Sequence, residues 1–354
     1  EIPGVGEIPA NWSLNKFKNI FEFSKIKSFE KNPVILSLTK KGIKKRDISS
    51  NEGQLAASYD GYHKVEKNDI VMNPMDLISG FVGCSDIQGI ISPAYYILKV
   101  KTGIDPKYYN YYLQKHYYEE IFFPFAEGVS TEHRWTLKKE DLMNFKIIVP
   151  PLKEQSKIHS FLDKKTSEID LTIEKDTRLI ELLKEKRTAL INHVVTKGLD
   201  PTVKMKDSGV EWIGKIPENW EVNKTKEITN VNMSNVDKKS KENEPEVLLC
   251  NYTDVYNNEF ITSKLDFMKA TASVEQVKKL SLQKGDVIIT KDSETQDDIA
   301  VPALVEEDLE NVVCGYHLAL IRPYKHKIIG DFLFRLLQSS KINDQFVVAA
   351  NGVT

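Results

Sequence analysis

From residue 154 to residue 197 the chain runs without a proline or a glycine. Within that run apolar residues recur at Leu162, Ile169, Ile173, Ile180, Leu183, Leu190 and Val194. The steps are built from threes and fours, with polar interruptions at Thr166, Asp176 and Arg187. That is the pattern of a coiled-coil seam. Pro150-Pro151 marks its start, because a residue before proline is pushed out of the helical region, and Gly198 is a natural stop. One helix over 155–197 is roughly 65 Å long at 1.5 Å per residue. A helix this long cannot bury its stripe against itself, so the pattern predicts a second long helix as partner. The plainer alternative is a helix broken in two and packed on its own domain. The patterning before the run is different. Short β-rich runs at 34–38, 69–72, 94–100 and 145–149 are separated by Gly, Pro and Asn clusters. Asp105 and Pro106 open a predicted helix over 106–120, and a helical segment is expected at 137–143. Tyr109, Tyr112, Leu113 and Tyr117 share one face of the first of these, either as core or as a stacking surface.

The region after the run repeats the region before it. Gly6-Glu7-Ile8-Pro9-Ala10-Asn11-Trp12 returns as Gly214-Lys215-Ile216-Pro217-Glu218-Asn219-Trp220, shifted by 208 (214 − 6). Glu66-Lys67-Asn68-Asp69-Ile70-Val71 returns as Gln283-Lys284-Gly285-Asp286-Val287-Ile288. The stretch 90–114 returns at 312–338, and Gly128-Val129-Ser130 returns as Gly352-Val353-Thr354. Strands are expected again at 246–250, 286–290, 300–305 and 317–321, with a helix near 329–337. A period this long is a duplicated domain rather than a solenoid, whose repeats run ~20–50 residues. The expected fold is therefore α+β. Two similar mixed α/β domains, 1–151 and 214–354, are separated by the long helix, 152–198, and a polar linker, 199–213.

The 354 residues suffice for two or three domains with real cores. Hydrophobic content of 41% and charged content of 28% are ordinary for a globular protein. No apolar run approaches the ~18 residues that span a bilayer. The three cysteines, Cys84, Cys250 and Cys314, lack paired spacing, which argues against a disulfide framework or a zinc site and fits a reducing cytoplasm. Phosphate-loop, dinucleotide-turn and metalloprotease motifs are all missing. Asn73-Pro74 matches only part of an amino-methyltransferase motif, and the acidic group Asp292, Glu294, Asp297 and Asp298 fits either a cation or a solvated loop.

What remains is binding. The formal charge of −2 lacks the basic excess usual for nucleic-acid binders. The basic residues do cluster, though: Lys40, Lys41, Lys44, Lys45 and Arg46 fall within seven residues on an expected loop. Such a group can neutralise phosphates, or it is a solvated surface. Ser130, Thr131 and Arg134 form a small polar and basic run suited to base-edge and phosphate contacts, or to capping the next helical segment. Lys291 and Gln296 are the candidates in the second copy.

As an ordered set, these residues resemble the specificity subunits of type I restriction-modification systems. The resemblance is carried by 211–220 (Glu-Trp-Ile-Gly-Lys-Ile-Pro-Glu-Asn-Trp), and by Gly128-Val129-Ser130 followed by Pro150-Pro151-Leu152-Lys153-Glu154-Gln155. The helix end 184–191 and Thr196-Lys197-Gly198-Leu199 complete it. The resemblance implies two target recognition domains, each reading half of a split DNA sequence, held apart by paired long helices. Those helices would dock two methyltransferase (modification) subunits, joined by restriction-translocase subunits. Catalysis, adenosylmethionine, ATP and magnesium would then belong to those partners. It also implies a second Pro-Pro motif and helix after the second domain. The chain ends at Thr354, the position matching Ser130, so a longer natural protein or self-association through the long helix is expected. Two rivals stay open: an enzyme of methyltransferase or nuclease type with an unrecognised site, and a coiled-coil scaffold without a DNA role.

Overall fold

The computed structural model describes residues 6–28, 32–47, 58–77, 81–127, 135–293, 295 and 298–350. The chain divides into two compact units, 1–174 and 175–354, and the division falls inside the long helix.

The first unit is built on a four-stranded antiparallel sheet with the order Phe21–Ser24, Tyr96–Val100, Ile70–Met72, Val82–Cys84. Three two-stranded pairs accompany it: Ser13–Lys16 with Lys146–Val149, Leu36–Thr39 with Gly42–Lys45, and His63–Val65 with Gly89–Ile91. The helix Pro106–Tyr118 begins where expected. The Asp105 carboxylate accepts from Lys107 N and Tyr108 N, satisfying backbone donors that a first helical turn leaves open. The tyrosine face is core: Tyr109 and Leu113 are fully buried and Tyr117 nearly so. They pack with Phe17, Phe21 and Phe122.

The second unit has a five-stranded sheet, Thr229–Met233, Leu318–Pro323, Val287–Thr290, Pro302–Val305 and Phe260–Ile261. A three-stranded sheet, Met268–Thr271, Glu246–Cys250 and Val312–Cys314, lies beside it in the same core. The helices Gly330–Leu337 and Ser340–Ala349 follow. The first four strands of the larger sheet repeat the order of the first unit's sheet. The helical turn Phe17–Ile20 running into Phe21–Ser24 returns as Thr225–Ile228 running into Thr229–Met233. Even the left-handed turn residues correspond, Asn68 with φ 71° and Gly285 with φ 88°.

The long helix is unbroken over Leu152–Lys197, 46 residues. The expected linker 199–213 is not structureless. Met205–Asp207 pairs antiparallel with Lys215–Pro217, and Ser208 N donates to Gly214 O. A three-residue strand with every side chain exposed leaves no alternation in the sequence to find.

Candidate nucleic-acid interface and helix surface

Lys40 and Lys41 form the tip of a hairpin rather than part of a loop that runs on to Arg46. Thr39 is paired with Gly42, whose φ of +90° closes the turn. The Thr39 hydroxyl donates to Gly42 O at 2.9 Å and accepts from Lys41 N at 3.2 Å. Lys44 and Lys45 therefore lie on the return strand, which corrects the loop expectation. The physical reason is Ile43, which packs into the cluster of Leu36, Leu38, Val71 and Ile97 and pulls its neighbours into register. The ribbon lies close on Gly83, where an added Cβ would stand 3.1 Å from Ile43 Cγ1 and 3.2 Å from Leu38 Cδ1. Arg46 N donates to Ile35 O, which secures the strand's end. Lys40, Lys41, Lys44 and Lys45 are exposed and form no ion pair among the described residues. Four uncompensated cations on a fixed two-stranded ribbon can follow a phosphate backbone or enter a groove. Ser130, Thr131, Arg134 and Gln296 lie outside the described residues.

Lys291 stands in a different setting. Its ammonium is 3.3 Å from Asp292 and 5.7 Å from the ring centre of Tyr316. His317 Nδ1 lies 3.0 Å from the same Asp292, and its ring sits 3.6 Å from that of Tyr316. Nearby, Tyr252 and Tyr256 stack with an interplanar angle of 14°, and Tyr256 donates to Asp298 at 2.9 Å. That carboxylate raises the Tyr256 phenol above its ordinary pKa. The described members of the acidic group, Asp292 and Asp298, are thus engaged with side chains, and no metal-ligating cluster occurs among the described residues. Asn73 has a local role as well: its carboxamide oxygen accepts from Met75 N and its carbonyl from Tyr117 Oη.

The long helix is anchored at both ends. At its start Gln155 is buried, accepting from Asp105 N at 2.9 Å and donating to Pro150 O at 2.7 Å. Ser156 donates to Asp105 Oδ2 at 2.9 Å, and His159 Nδ1 lies 2.8 Å from the same oxygen. Tyr111 donates to Asp163 at 2.8 Å. Near its end the Asn192 carboxamide accepts from Ser339 Oγ and Ser340 N and donates to Ser340 Oγ, holding the start of the last helix. Arg187 pairs with Glu259, which also meets Arg335 at 3.3 Å. Between the anchors, every side chain from 164 to 190 is exposed. Ile169, Ile173, Ile180, Leu183 and Leu190 are 54–60% exposed. Leu162 and Val194 are only half-buried positions on their own units, Leu162 beside Tyr108 and Tyr111, so the open seam is shorter than the sequence pattern. Phe161, Leu171, Leu179 and Leu182 are further exposed apolar residues outside the seam positions, Leu171 on the opposite face of the helix.

Residues 9–183 match the family model of the type I restriction modification DNA specificity domain. The specificity subunit of the type I restriction enzyme HindI from Haemophilus influenzae is 30% identical over 108 residues. That stretch is 30% of this chain and spans 22% of the relative's length. Two solved structures share the fold over 98% of this chain and 84% of theirs. One comes from work on complex assembly and conformational transition of the type I R-M system, with TM-score 0.62 and 12% identity. The other is the HsdS subunit from Thermoanaerobacter tengcongensis, with TM-score 0.52 and 13% identity. Residues 9–183, 175 of the 354, thus carry a type I restriction modification DNA specificity domain, and the fold of the whole chain is similar to that of an HsdS subunit. Among the described residues no helix is long and apolar enough to cross a membrane.

Proposed function

We propose that the chain is a non-catalytic, DNA-sequence-recognition subunit that acts in the cytoplasm. Each α/β unit reads one half of a split double-stranded target. The open stripe of the long helix docks methyltransferase subunits, and restriction-translocase subunits join the complete assembly. Adenosylmethionine, ATP and magnesium act in those partners and not in this chain. The observation that carries the reading is the specificity-domain match over 9–183 on a unit whose lead-in and sheet recur after the helix. The hairpin Leu36–Lys45 supplies phosphate contacts, and Lys291 with Tyr316 is the second unit's candidate contact.

The test is salt-dependent DNA binding. Every phosphate that a side chain neutralises adds about 0.9 to the steepness of log K against log[salt]. Replacing Lys40 and Lys41 together with alanine is expected to reduce that steepness by about 2, weakening all sequences alike. An unchanged slope removes the hairpin from the interface, and absence of any salt-sensitive DNA affinity in the assembled complex overturns the proposed function.

A further inference from the structure

The two units carry different chemistry at one shared place in the fold. In the first unit the last pair of the hairpin, Thr39 with Gly42, leaves only Lys40 and Lys41 between its strands. The hairpin lies beside Gly89–Ile91 through the parallel bridge of Ile35 to Ile90. In the second unit Glu246–Cys250 pairs antiparallel with Met268–Thr271 and parallel with Val312–Cys314, so these strands stand where the hairpin and Gly89–Ile91 stand in the first. Here the last pair, Leu249 with Met268, leaves eighteen residues between its strands (268 − 249 − 1). They hold the helix Tyr252–Asn257 and the strand Phe260–Ile261, which joins the larger sheet. Val255 and Ile261 are fully buried, which fixes the insert on the core.

The insert closes a narrow cleft of about 40 Å³, lined by Val236, Leu249, Tyr252 and Tyr316, with Lys238 and His317 on the same wall. That space is too small for a base ring but exceeds the ~10–15 Å³ that admits one water, the scale of a methyl group. Val236 and Leu249 are each 1% exposed, whereas Tyr316 is 41% exposed, so the cleft is apolar within and open at its rim. Gly315 N donates to Cys250 O at 2.8 Å, and an added Cβ at Gly315 would stand 2.6 Å from that oxygen, so only glycine lets the strand ends meet here. Tyr256 stacks on Tyr252 and is itself held by Asp298. Lys238 is exposed and forms no ion pair among the described residues. His317 Nδ1 donates to Asp292 at 3.0 Å, which leaves Nε2 of the neutral ring as an acceptor.

An apolar notch of methyl size beside polar groups is the complement of one base edge. In the major groove thymine presents its C5-methyl group next to the O4 acceptor, and the adenine paired with it adds the N6 amine. We infer that this cleft seats the C5-methyl group of a thymine in the second unit's half-site. Lys238 donates to the thymine O4, and His317 Nε2 accepts from the N6 amine of the same pair. The first unit offers the charges of Lys40 and Lys41 at the corresponding place, so the two units read their half-sites by different chemistry. The inference rests on the proposed DNA recognition and names a base that the second unit reads.

The test uses the chain assembled with methyltransferase subunits. Its target is selected from a randomised DNA pool, and every thymine in one half-site or the other is then replaced by deoxyuridine, which lacks only the methyl group. Binding is followed by fluorescence anisotropy. In one half-site uracil is expected to weaken binding by about fourfold, the worth of one buried methyl. Tyr252→Ala with Tyr316→Ala is expected to erase the difference, binding both DNAs as the parent binds the uracil form. Tyr252→Phe with Tyr316→Phe keeps the rings and is expected to keep the difference. Equal binding of thymine and uracil forms by the parent, in both half-sites, overturns the inference. So does an alanine variant that keeps the difference or binds neither DNA. A parent complex that selects no sequence from the pool overturns the proposed function itself.

Discussion

Asp69 and Asp286 are buried carboxylates at the same place in the two units. Each accepts from the backbone N–H three residues earlier, Glu66 N and Gln283 N, at 2.8 Å. Each faces a cation from the adjacent strand, Lys99 at 3.7 Å and Arg322 in a two-pronged pair at 2.6 and 2.8 Å. The repeated Lys-Asn-Asp and Lys-Gly-Asp were legible in the sequence, but the cations were not, because they lie on another strand. The network of Asp105, Gln155, Ser156 and His159 was hidden for the same reason, with about fifty residues separating its halves. His116 is a further residue that only burial reveals. It sits among Tyr112, Phe122 and Phe145, and burial pushes its pKa down to about 4. The unfolded chain takes up this proton near pH 6.5, whereas the folded chain resists it to about pH 4. Stability present above pH 6.5 therefore declines as the pH falls through that window, by up to about 3 kcal/mol. Unfolding midpoints measured between pH 7 and pH 4.5 should fall less steeply for His116→Phe than for the parent chain. Parallel curves would show that His116 is not the group responsible.

At the scale of elements, the long helix was legible because nothing in 44 residues breaks it and proline and glycine bracket it. The exposed apolar residues away from the seam, Phe161, Leu171, Leu179 and Leu182, were not, since they fall off the heptad positions. The hairpin was read as a loop because glycine and lysine dominate its sequence, while the single inward residue, Ile43, decides its conformation. The helix Val274–Leu280 carries a signal that could have found it, the capping box of Ser273 and Gln276. The open stripe gives a prediction at this scale. Burying one exposed leucine or isoleucine contributes about 1.5–3 kcal/mol, so several together can hold a partner helix. Ile180→Asp with Leu183→Asp should leave the chain's unfolding midpoint within about 2 °C, because both side chains are exposed. The same pair should abolish co-elution with methyltransferase subunits on gel filtration. An unchanged complex would mean that docking uses another surface.

At the scale of the molecule, duplication joins the observations. Two sheets with the same strand order, two buried carboxylate–cation pairs and two Pro-x-Asn-Trp lead-ins flank one helix whose middle is open to solvent. The parallel pairing of Leu248 with Val312 also has its counterpart in the bridge of Ile35 to Ile90. Under the proposed function, the two similar units make two similar contacts on one split DNA target. The most direct measurement is a footprint of the chain assembled with methyltransferase subunits on a DNA fragment carrying its target. Two short protected segments separated by a gap of about one helical turn are predicted. A single continuous protected patch, or protection without a fixed position, would contradict the account.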